Sequence, residues 1–537
     1  MSFVTALAIG SFIVLQSLFS ASLTGSFSTF MTAWIHPYPD LCFAIAIAAL
    51  GTAAGKQTIA VRIASVLVLL SLLLQTAATL VPAFLERKFE LADIREAPGL
   101  YHLLLHDQQL WQHALAIGGV TLAILGSLLL IIHCIKNLTA SAASAQVLCR
   151  WLLAMQALVF ASVIAGSVST SGKSLWQPSA LASLVGKLVD EVAHQCNPEL
   201  LDSVVEQRLQ AASTRLAAAP GVGMLAGADV HMMFVESYGR VCVRQPQLAQ
   251  RMASLYAGFD RDLRAKNYTV KTAMCFPEVT GGGSFLTHAQ MYASVPVPDR
   301  FMFDRVIAST LAPLPKRFQA SGYHTVEILP AMHRHWPMGA MFYGFDEALT
   351  QQELDYHGLI YHWGQMPDQY ALHQLLTKVV RKAKTPLFTS FVSVTSHAPF
   401  RMIPHYFADW QIDANSFNGP PRIEHPVTWL NMLHDQIALT AYSDSIEYTL
   451  RTIVGFACQL ERPSLVILLG DHQPPIAATM DPPDHTKDVP IHVFANRPEL
   501  LTPLRELGFV DGFSVPDSMT AFSTVEIAPM LLRALGR

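Results

Sequence analysis

The chain has 537 residues, enough for more than one domain, and half of them (51%) are hydrophobic while only 14% are charged. Its mean hydropathy is positive, and the excess lies almost wholly before residue 171, so a membrane segment joined to an ordinary globular one is expected. A formal net charge of −4 without a basic cluster argues against nucleic acid as a partner.

Five stretches in the first 170 residues approach the roughly 20 apolar residues that a helix needs to cross a bilayer: 3–22, about 41–55, 61–84, 114–135 and 151–168. The second is short, and His36, Pro37, Pro39 and Asp40 stand at its start. The first also resembles a signal peptide ending at Ser20-Ala21-Ser22, but it lacks a basic leader and further spans follow, which favours an uncleaved span. Lys56 and Arg62 flank one short loop, and Lys136 and Arg150 flank another. The loop from Glu86 to Asp107 carries five acids against three bases. Positive-inside placement then puts the N-terminus in the cytoplasm and everything beyond residue 170 outside. Within that acidic loop, residues 100–111 read either as an interfacial amphipathic turn or as an extension of the fourth span.

Residues 171–228 are polar and Ala-rich, with helical spacing over 181–194 and 198–216, and read as a juxtamembrane helical linker broken by Pro220-Gly-Val-Gly223. From residue 229 to 537 short apolar strands alternate with helical stretches. Strands are expected at 230–235, 325–329, 387–394, 465–469 and 491–494, and helices at 246–266, 368–384 and 440–460. That alternation is the mark of an α/β domain with a largely parallel central sheet. Cys196, Cys242, Cys275 and Cys458 fall in the outer part, where an oxidising compartment would allow two disulfides of unspecified pairing.

Four constellations sit at strand ends or in the loops between them. The strand at 230–235 ends in Glu236-Ser-Tyr. Thr280-Gly-Gly-Gly-Ser284 leads into a helical stretch, placing Ser284 near a helix N-terminus, where backbone N–H groups favour an anion. Ser393-Val-Thr-Ser-His397-Ala-Pro-Phe follows the third strand, and a His there can ligate a metal or exchange a proton. The apolar run Ser464-Leu-Val-Ile-Leu-Leu-Gly470 hands over Asp471 and His472, and His485 lies thirteen residues beyond His472. Each has a plainer reading, as a helix cap, a Ser N-cap or a solvated His.

Taken in order, Glu236-Ser, Gly-Gly-Gly-Ser284-Phe-Leu-Thr-His-Ala, Thr-Ser-His397-Ala-Pro-Phe and Gly-Asp471-His472-Gln-Pro resemble the lipoteichoic acid synthase and phosphoethanolamine transferase branch of the alkaline phosphatase/sulfatase superfamily. Tyr343-Gly-Phe-Asp346 and Trp363-Gly-Gln-Met-Pro-Asp368 are further local similarities, with packing or substrate-side roles. The resemblance covers roughly residues 228–535, and preceding membrane spans are usual in that branch. It implies a metal, zinc or manganese, held by Glu236, Asp471, His472 and the oxygen of Ser284. Ser284 is implied as the nucleophile, with Thr280 in reserve. His397 is implied as a catalytic and substrate-contacting group, and His485 and Arg334 (beside His333 and His335) as substrate contacts.

The implied reaction moves a phosphoglycerol or phosphoethanolamine head group from a membrane phospholipid, through a phospho-Ser284 intermediate, to a cell-envelope glycan or lipid. The implied location is a bacterial cytoplasmic membrane with the catalytic domain outside. Formylglycine-forming sulfatases carry Pro at the second and Arg at the fourth position after the nucleophile. Leu286 and His288 stand there, which argues against that modification. An extracytoplasmic phosphodiesterase or sulfatase-like hydrolase, and an inert sensing or assembly domain, are the competing readings.

Overall fold

The computed structural model describes residues 39–85, 110–139, 198–217 and, with short gaps, 223–535, and divides the chain into two compact units. The N-terminal unit contains α1 (Pro39–Ala53), α2 (Gln57–Leu85) and α3 (Leu110–Leu138). Among the described residues two helices are long and apolar enough to cross a membrane, with spans Gln57–Ala77 and Gly118–Leu138. These match the expected third and fourth spans.

The expected second span is only the 15-residue α1, whose apolar part is Phe43–Ala53. Gly55, at φ +74°, turns the chain directly into α2 and ends it there. Asp40 at the start of α1 is buried and accepts a 2.5 Å hydrogen bond from Ser71 of α2, so the polar flank is satisfied inside the unit. The expected spans at 3–22 and 151–168, most of 100–111, the helix at 181–194 and Cys196 lie outside the described residues. On α3, Val120, Leu122, Leu125 and Leu129 face outward, 50% to 71% exposed, a surface suited to lipid.

The second unit is an α/β domain around a nine-stranded sheet. Its strands are β1 (Asp229–Val235), β2 (Thr269–Phe276), β3 (His324–Ile328), β4 (Glu347–Leu349), β5 (Leu387–Val392), then, beyond a separate small ribbon of β6 (Met402–Ile403) and β7 (Ile423–Glu424), β8 (Ser464–Gly470), β9 (Val489–Ala495), β10 (Val510–Asp511) and β11 (Phe522–Ser523). The order is β10-β2-β9-β8-β1-β5-β3-β4, with β11 beside β2. Strands β8, β1, β5, β3 and β4 are mutually parallel. Every residue of β1 and β8 is buried, as a strand covered on both faces requires, and hence neither alternates in polarity.

Two features depart from the expected pattern. β9 runs antiparallel to both β8 and β2, so the sheet is mixed, though mostly parallel. β2, Thr-Val-Lys-Thr-Ala-Met-Cys-Phe, was not among the expected strands. Its Lys271 is buried yet pairs with Asp511 at 2.5 Å, and a charged residue at mid-strand breaks the apolar run that marks the other core strands.

Helix α4 (Pro198–Ala217) lies in the expected linker, but it packs into the α/β unit. Val205, Ala212 and Leu216 join the core, and Arg215 donates to the Ser294 carbonyl at 2.5 Å. Helix α5 (Pro246–Ala265) begins as the sequence indicates. Pro246 occupies the first turn, and the Gln245 side chain caps the N–H groups of Gln247 and Leu248. The disulfides that the cysteine count allows are not formed among the described cysteines: Cys242, Cys275 and Cys458 are all free. Cys242 lies against the Tyr442 hydroxyl at 3.1 Å, and Cys275 is buried inside β2. Burial pushes the Cys242 thiol up to about 12, well away from the thiolate that disulfide exchange uses.

Candidate active site

The register of the central strands assembles the site. Val235 at the end of β1 lies beside Gly470 at the end of β8, and Phe234 lies beside Val392 at the end of β5. Glu236, Asp471 and the 393–397 loop therefore leave the sheet at the same edge, where open α/β sheets bind ligands. β2 points the same way as β8, because both oppose β9. Helix α6 (Ser284–Ala293), which follows β2, thus starts at that edge as well.

Gly470 permits a close approach of two backbone segments. A Cβ there would stand 1.9 Å from the Tyr238 carbonyl oxygen, so β8 can end under the β1 turn only with glycine. Ser237 adopts a left-handed conformation (φ 62°), rare for a residue with a side chain. Its N–H thereby donates to Asp471 Oδ1 at 2.9 Å, and the Asp471 N–H donates to the Val235 carbonyl at 3.2 Å.

Glu236, Asp471 and His472 are all buried, and one ligand atom from each lies within 4.8 Å of the others. His472 Nδ1–H donates to the Gln473 carbonyl at 2.8 Å, so in the neutral ring Nε2 carries the lone pair and faces the carboxylates. Nε2 lies 3.0 Å from Glu236 Oε1 and 3.7 Å from Asp471 Oδ1 without the alignment of a hydrogen bond, and Asp471 Oδ2 also has no hydrogen-bond partner. Two carboxylates and an imidazole lone pair, converging in a buried pocket, call for a positive charge between them.

The protonation preferences agree with this. Burial disfavours charge on His472, but the Asp471 and Glu236 carboxylates outweigh it and raise the imidazole to about 10. Burial, and then the charge of Glu236, push Asp471 well above the usual carboxylate range. Burial also opposes ionisation of Glu236, yet His472 and His397 hold it well below that range. Protons thus supply part of the charge that a divalent cation would supply. With oxygen and nitrogen donors in this geometry, the residues fit a divalent metal of the zinc or manganese kind.

Ser284 is the first residue of α6, behind Gly283 in the left-handed region (φ 75°). One turn on, Thr287 Oγ1 donates to the Asp471 carbonyl at 2.9 Å, and His288 Nε2 lies 3.9 Å from Asp471 Oδ2. Residues at i, i+3 and i+4 share a helix face, so Ser284 lies on the face that packs toward Asp471. Thr280 is buried in the preceding loop. His397 lies close enough to Glu236 and His472 to feel both charges. Burial first, and then His472, lower its pKa, and its Nδ1–H donates to the Ala398 carbonyl at 2.7 Å.

His485 is exposed. Its loop nonetheless reaches the site edge because β9 is reversed, and Thr486 Oγ1 accepts from Gln473 Nε2 at 3.3 Å. Arg334 lies outside the described residues. Its neighbour His335 is exposed and pairs with Glu353 at 3.0 Å.

Several residues that organise the site stood inside the quoted motifs without being assigned these roles. Buried Asp368 accepts from Val394 N–H (2.7 Å), Thr395 N–H (3.2 Å) and Thr449 Oγ1 (2.7 Å). It ends β5 at Val392, short of the expected 394, and fixes the loop carrying His397. Ser393 Oγ accepts from the Glu236 N–H at 2.9 Å. Asp346 accepts from the Thr325 N–H at 2.8 Å and from its hydroxyl at 2.9 Å, so the Tyr343–Asp346 motif serves packing. The i+3 and i+4 spacing from Ser284 was the available signal for Thr287 and His288.

The sulfatase family model matches residues 226–494. No curated protein matches the chain in sequence. Among solved structures, the integral membrane lipooligosaccharide phosphoethanolamine transferase A (EptA) from Neisseria meningitidis is similar over 98% of this chain and 95% of its own, at 13% identity and a TM-score of 0.51. The lipoteichoic acid synthase LtaP from Listeria monocytogenes matches 60% of this chain and 77% of its own, at 13% identity and a TM-score of 0.39. The Streptococcus pyogenes phosphoglycerol transferase GacH, in complex with sn-glycerol-1-phosphate, matches 55% and 75%, at 15% identity and a TM-score of 0.34. With the family model covering half of its length, and the whole sheet edge that bears Glu236, Ser284, His397, Asp471 and His472, the chain belongs to the sulfatase family.

Proposed function

We propose that this chain is a membrane-anchored, metal-dependent phosphotransferase. It moves a phospholipid head group, phosphoglycerol or phosphoethanolamine, onto an envelope glycan or lipid through a phospho-Ser284 intermediate. The observation that carries this reading is the buried, charge-demanding trio of Glu236, Asp471 and His472 beside the helix that begins at Ser284. Glu236, Asp471, His472 and the Ser284 oxygen would hold zinc or manganese, which when bound lowers the pKa of a hydroxyl and neutralises phosphoryl charge, each an effect of several kcal/mol.

Ser284 Oγ attacks the phosphorus, the bond from phosphorus to the diacylglycerol oxygen breaks, and the serine proton ends on that oxygen. An acceptor hydroxyl then attacks phospho-Ser284, and its proton returns to the serine oxygen. His397 is assigned the transfer of these protons through Nε2, its Nδ1–H being committed to the Ala398 carbonyl. The first N–H groups of α6 hold the phosphoryl oxygens. The loops carrying His485 and Arg334 are assigned contacts to the head group or acceptor, and Thr280 is the reserve nucleophile.

Five spans, a cytoplasmic N-terminus and an extracytoplasmic catalytic unit on a bacterial cytoplasmic membrane complete the reading. The two apolar helices and the likeness of fold to an integral membrane transferase support it. Anchoring confines the site to the plane of its lipid donor. The test is mass analysis of the full-length protein after incubation with mixed phospholipids. An adduct of phosphoglycerol or phosphoethanolamine on the Ser284 peptide, absent from Ser284→Ala, is expected. Release of free head group with no acceptor modified would identify a hydrolase. No adduct on any peptide would refute the double displacement.

A further inference from the structure

Ser237 reaches three partners with three polar groups. Its N–H donates to Asp471 Oδ1 at 2.9 Å, its Oγ donates to Glu236 Oε1 at 3.2 Å, and its carbonyl accepts from the Tyr442 hydroxyl at 2.8 Å. Two of those partners are candidate ligands, so the Ser237 backbone sets the spacing of the Glu236 and Asp471 carboxylates. That backbone stands at φ 62°, a conformation that a serine keeps only where its surroundings over-determine it. The bond from Tyr442 is the constraint that comes from outside the carboxylate cluster.

Tyr442 is built to supply it. Its side chain is fully buried on α7 (Gln436–Ala457), and its ring meets Phe400, in the loop after His397, edge-on at 5.2 Å between centroids. Burial raises the hydroxyl well above the usual tyrosine range, so it stays a donor. Having given its proton to Ser237, the same oxygen accepts from Cys242 Sγ at 3.1 Å. Two turns along the same face of α7, Thr449 donates to Asp368 Oδ2 at 2.7 Å. One helix therefore holds both the turn after Glu236 and the residue that fixes the loop of His397.

We infer that Tyr442 is a positioning residue for the metal site: its hydroxyl pins the left-handed turn at Ser237 and thereby fixes the spacing of the two carboxylates that would hold the cation. The inference rests on the metal site of the proposed function. Its chemistry is that of an outer hydrogen bond orienting a ligand that it does not touch.

The test uses the purified full-length chain in detergent, stripped with a chelator and titrated with Zn2+ and Co2+. Wild type is compared with Tyr442→Phe, which keeps the ring against Phe400 and loses only the hydroxyl. The same change is made in a Ser237→Gly chain, because glycine takes a positive φ without being held there. Tyr442→Phe should bind Zn2+ roughly tenfold or more weakly than wild type, with a changed Co2+ absorption spectrum. In the Ser237→Gly chain it should cost about threefold or less, a coupling that general loosening of the core would not produce. Melting of the stripped proteins separates loss of the site from loss of the fold. If Tyr442→Phe alone does not fold, the two Ser237→Gly chains carry the comparison, and near-equal affinities uphold the inference while a tenfold gap overturns it. Zn2+ affinity within about twofold of wild type with an unchanged Co2+ spectrum, or equal losses in both backgrounds, would overturn this inference alone. Failure of wild type itself to take up either cation would overturn it together with the proposed function.

Discussion

Gly470→Ala isolates the close approach on which the site depends. The added methyl would stand 1.9 Å from the Tyr238 carbonyl oxygen, 2.9 Å from its carbon and 3.0 Å from Val489 Cβ, so the nearest atom is roughly 1.5 Å inside the onset of ordinary contact at 3.4 Å. The first two atoms are backbone, and no side-chain rotation relieves them. Either β8 slides away from the β1 turn, or the turn lifts. Either movement breaks the 2.9 Å bond from Ser237 N–H to Asp471 Oδ1. Overpacking of a rigid core costs about 1–3 kcal/mol and occasionally more, and a backbone-on-backbone clash belongs at the top of that range. The expected outcome is a melting temperature lower by several degrees together with substoichiometric metal. Both are measured on the full-length chain, by intrinsic fluorescence and by elemental analysis. Gly419→Ala, where nothing lies within 4 Å of the new methyl, is the matched control and should stay within about 0.5 kcal/mol of wild type. A Gly470→Ala protein that melts like wild type and carries a full complement of metal would refute the reasoning.

Asp368→Ala removes a buried acceptor of three hydrogen bonds and should destabilise by about 3 kcal/mol or more while lowering turnover through His397. Asp368→Asn, which keeps an acceptor for the two N–H groups, should lose less on both measures, and equal losses in denaturation and rate would contradict this. His472 is raised from 6.5 to about 10 in the metal-free fold, so its contribution to stability is complete below pH about 6.5 and lost as pH rises through 10. Stripped protein should therefore melt progressively lower across that window, and the loaded protein should not. Metal uptake should also release protons, strengthening as pH rises. Isothermal titration in buffers of different ionisation enthalpy measures that release. Asp229, at the opposite end of β1, is raised to about 6, chiefly by burial and despite the Leu387 N–H and Arg462. Its contribution is present below pH about 3.8 and lost as pH climbs through 6. Asp229→Asn should flatten the stability profile in that window, by up to about 3 kcal/mol for a shift of two units.

The strands that carry the site were legible in the sequence because they are covered on both faces. β8 is an almost unbroken apolar run and β1 and β5 are mostly apolar, and each stops where a candidate site residue or loop begins. Strand direction was not legible. β9 is as apolar as the parallel strands of the sheet, and its reversal is fixed by the path of the chain, yet that reversal is what brings the 484–488 loop to the site edge. β2 was missed because buried Lys271 answers to Asp511, 240 residues away. Glu236, Asp471 and His472 were readable as strand-end residues, whereas Asp368, Ser393 and Thr287 act through hydrogen bonds whose partners only the folded register supplies. The two disulfides that the cysteine count allows are not formed among the described cysteines, for a similar reason: counting cysteines says nothing of their separate burial.

The hydrogen bond from Ser237 to Asp471 joins residues 234 apart in the chain, and β1 is laid down long before the neighbour that will complete its pocket. Contacts of such sequence separation make folding slow. Until β8 arrives, one flank of β1 offers open backbone groups to any passing strand, a hazard for aggregation. The nascent domain thus has a period in which it can neither hold a cation nor protect its own centre. The last hundred residues act as a lock: termination between Ser284 and Gly470 leaves a chain with only part of the candidate site and an unpaired strand through its middle, a state suited to proteolysis rather than partial function.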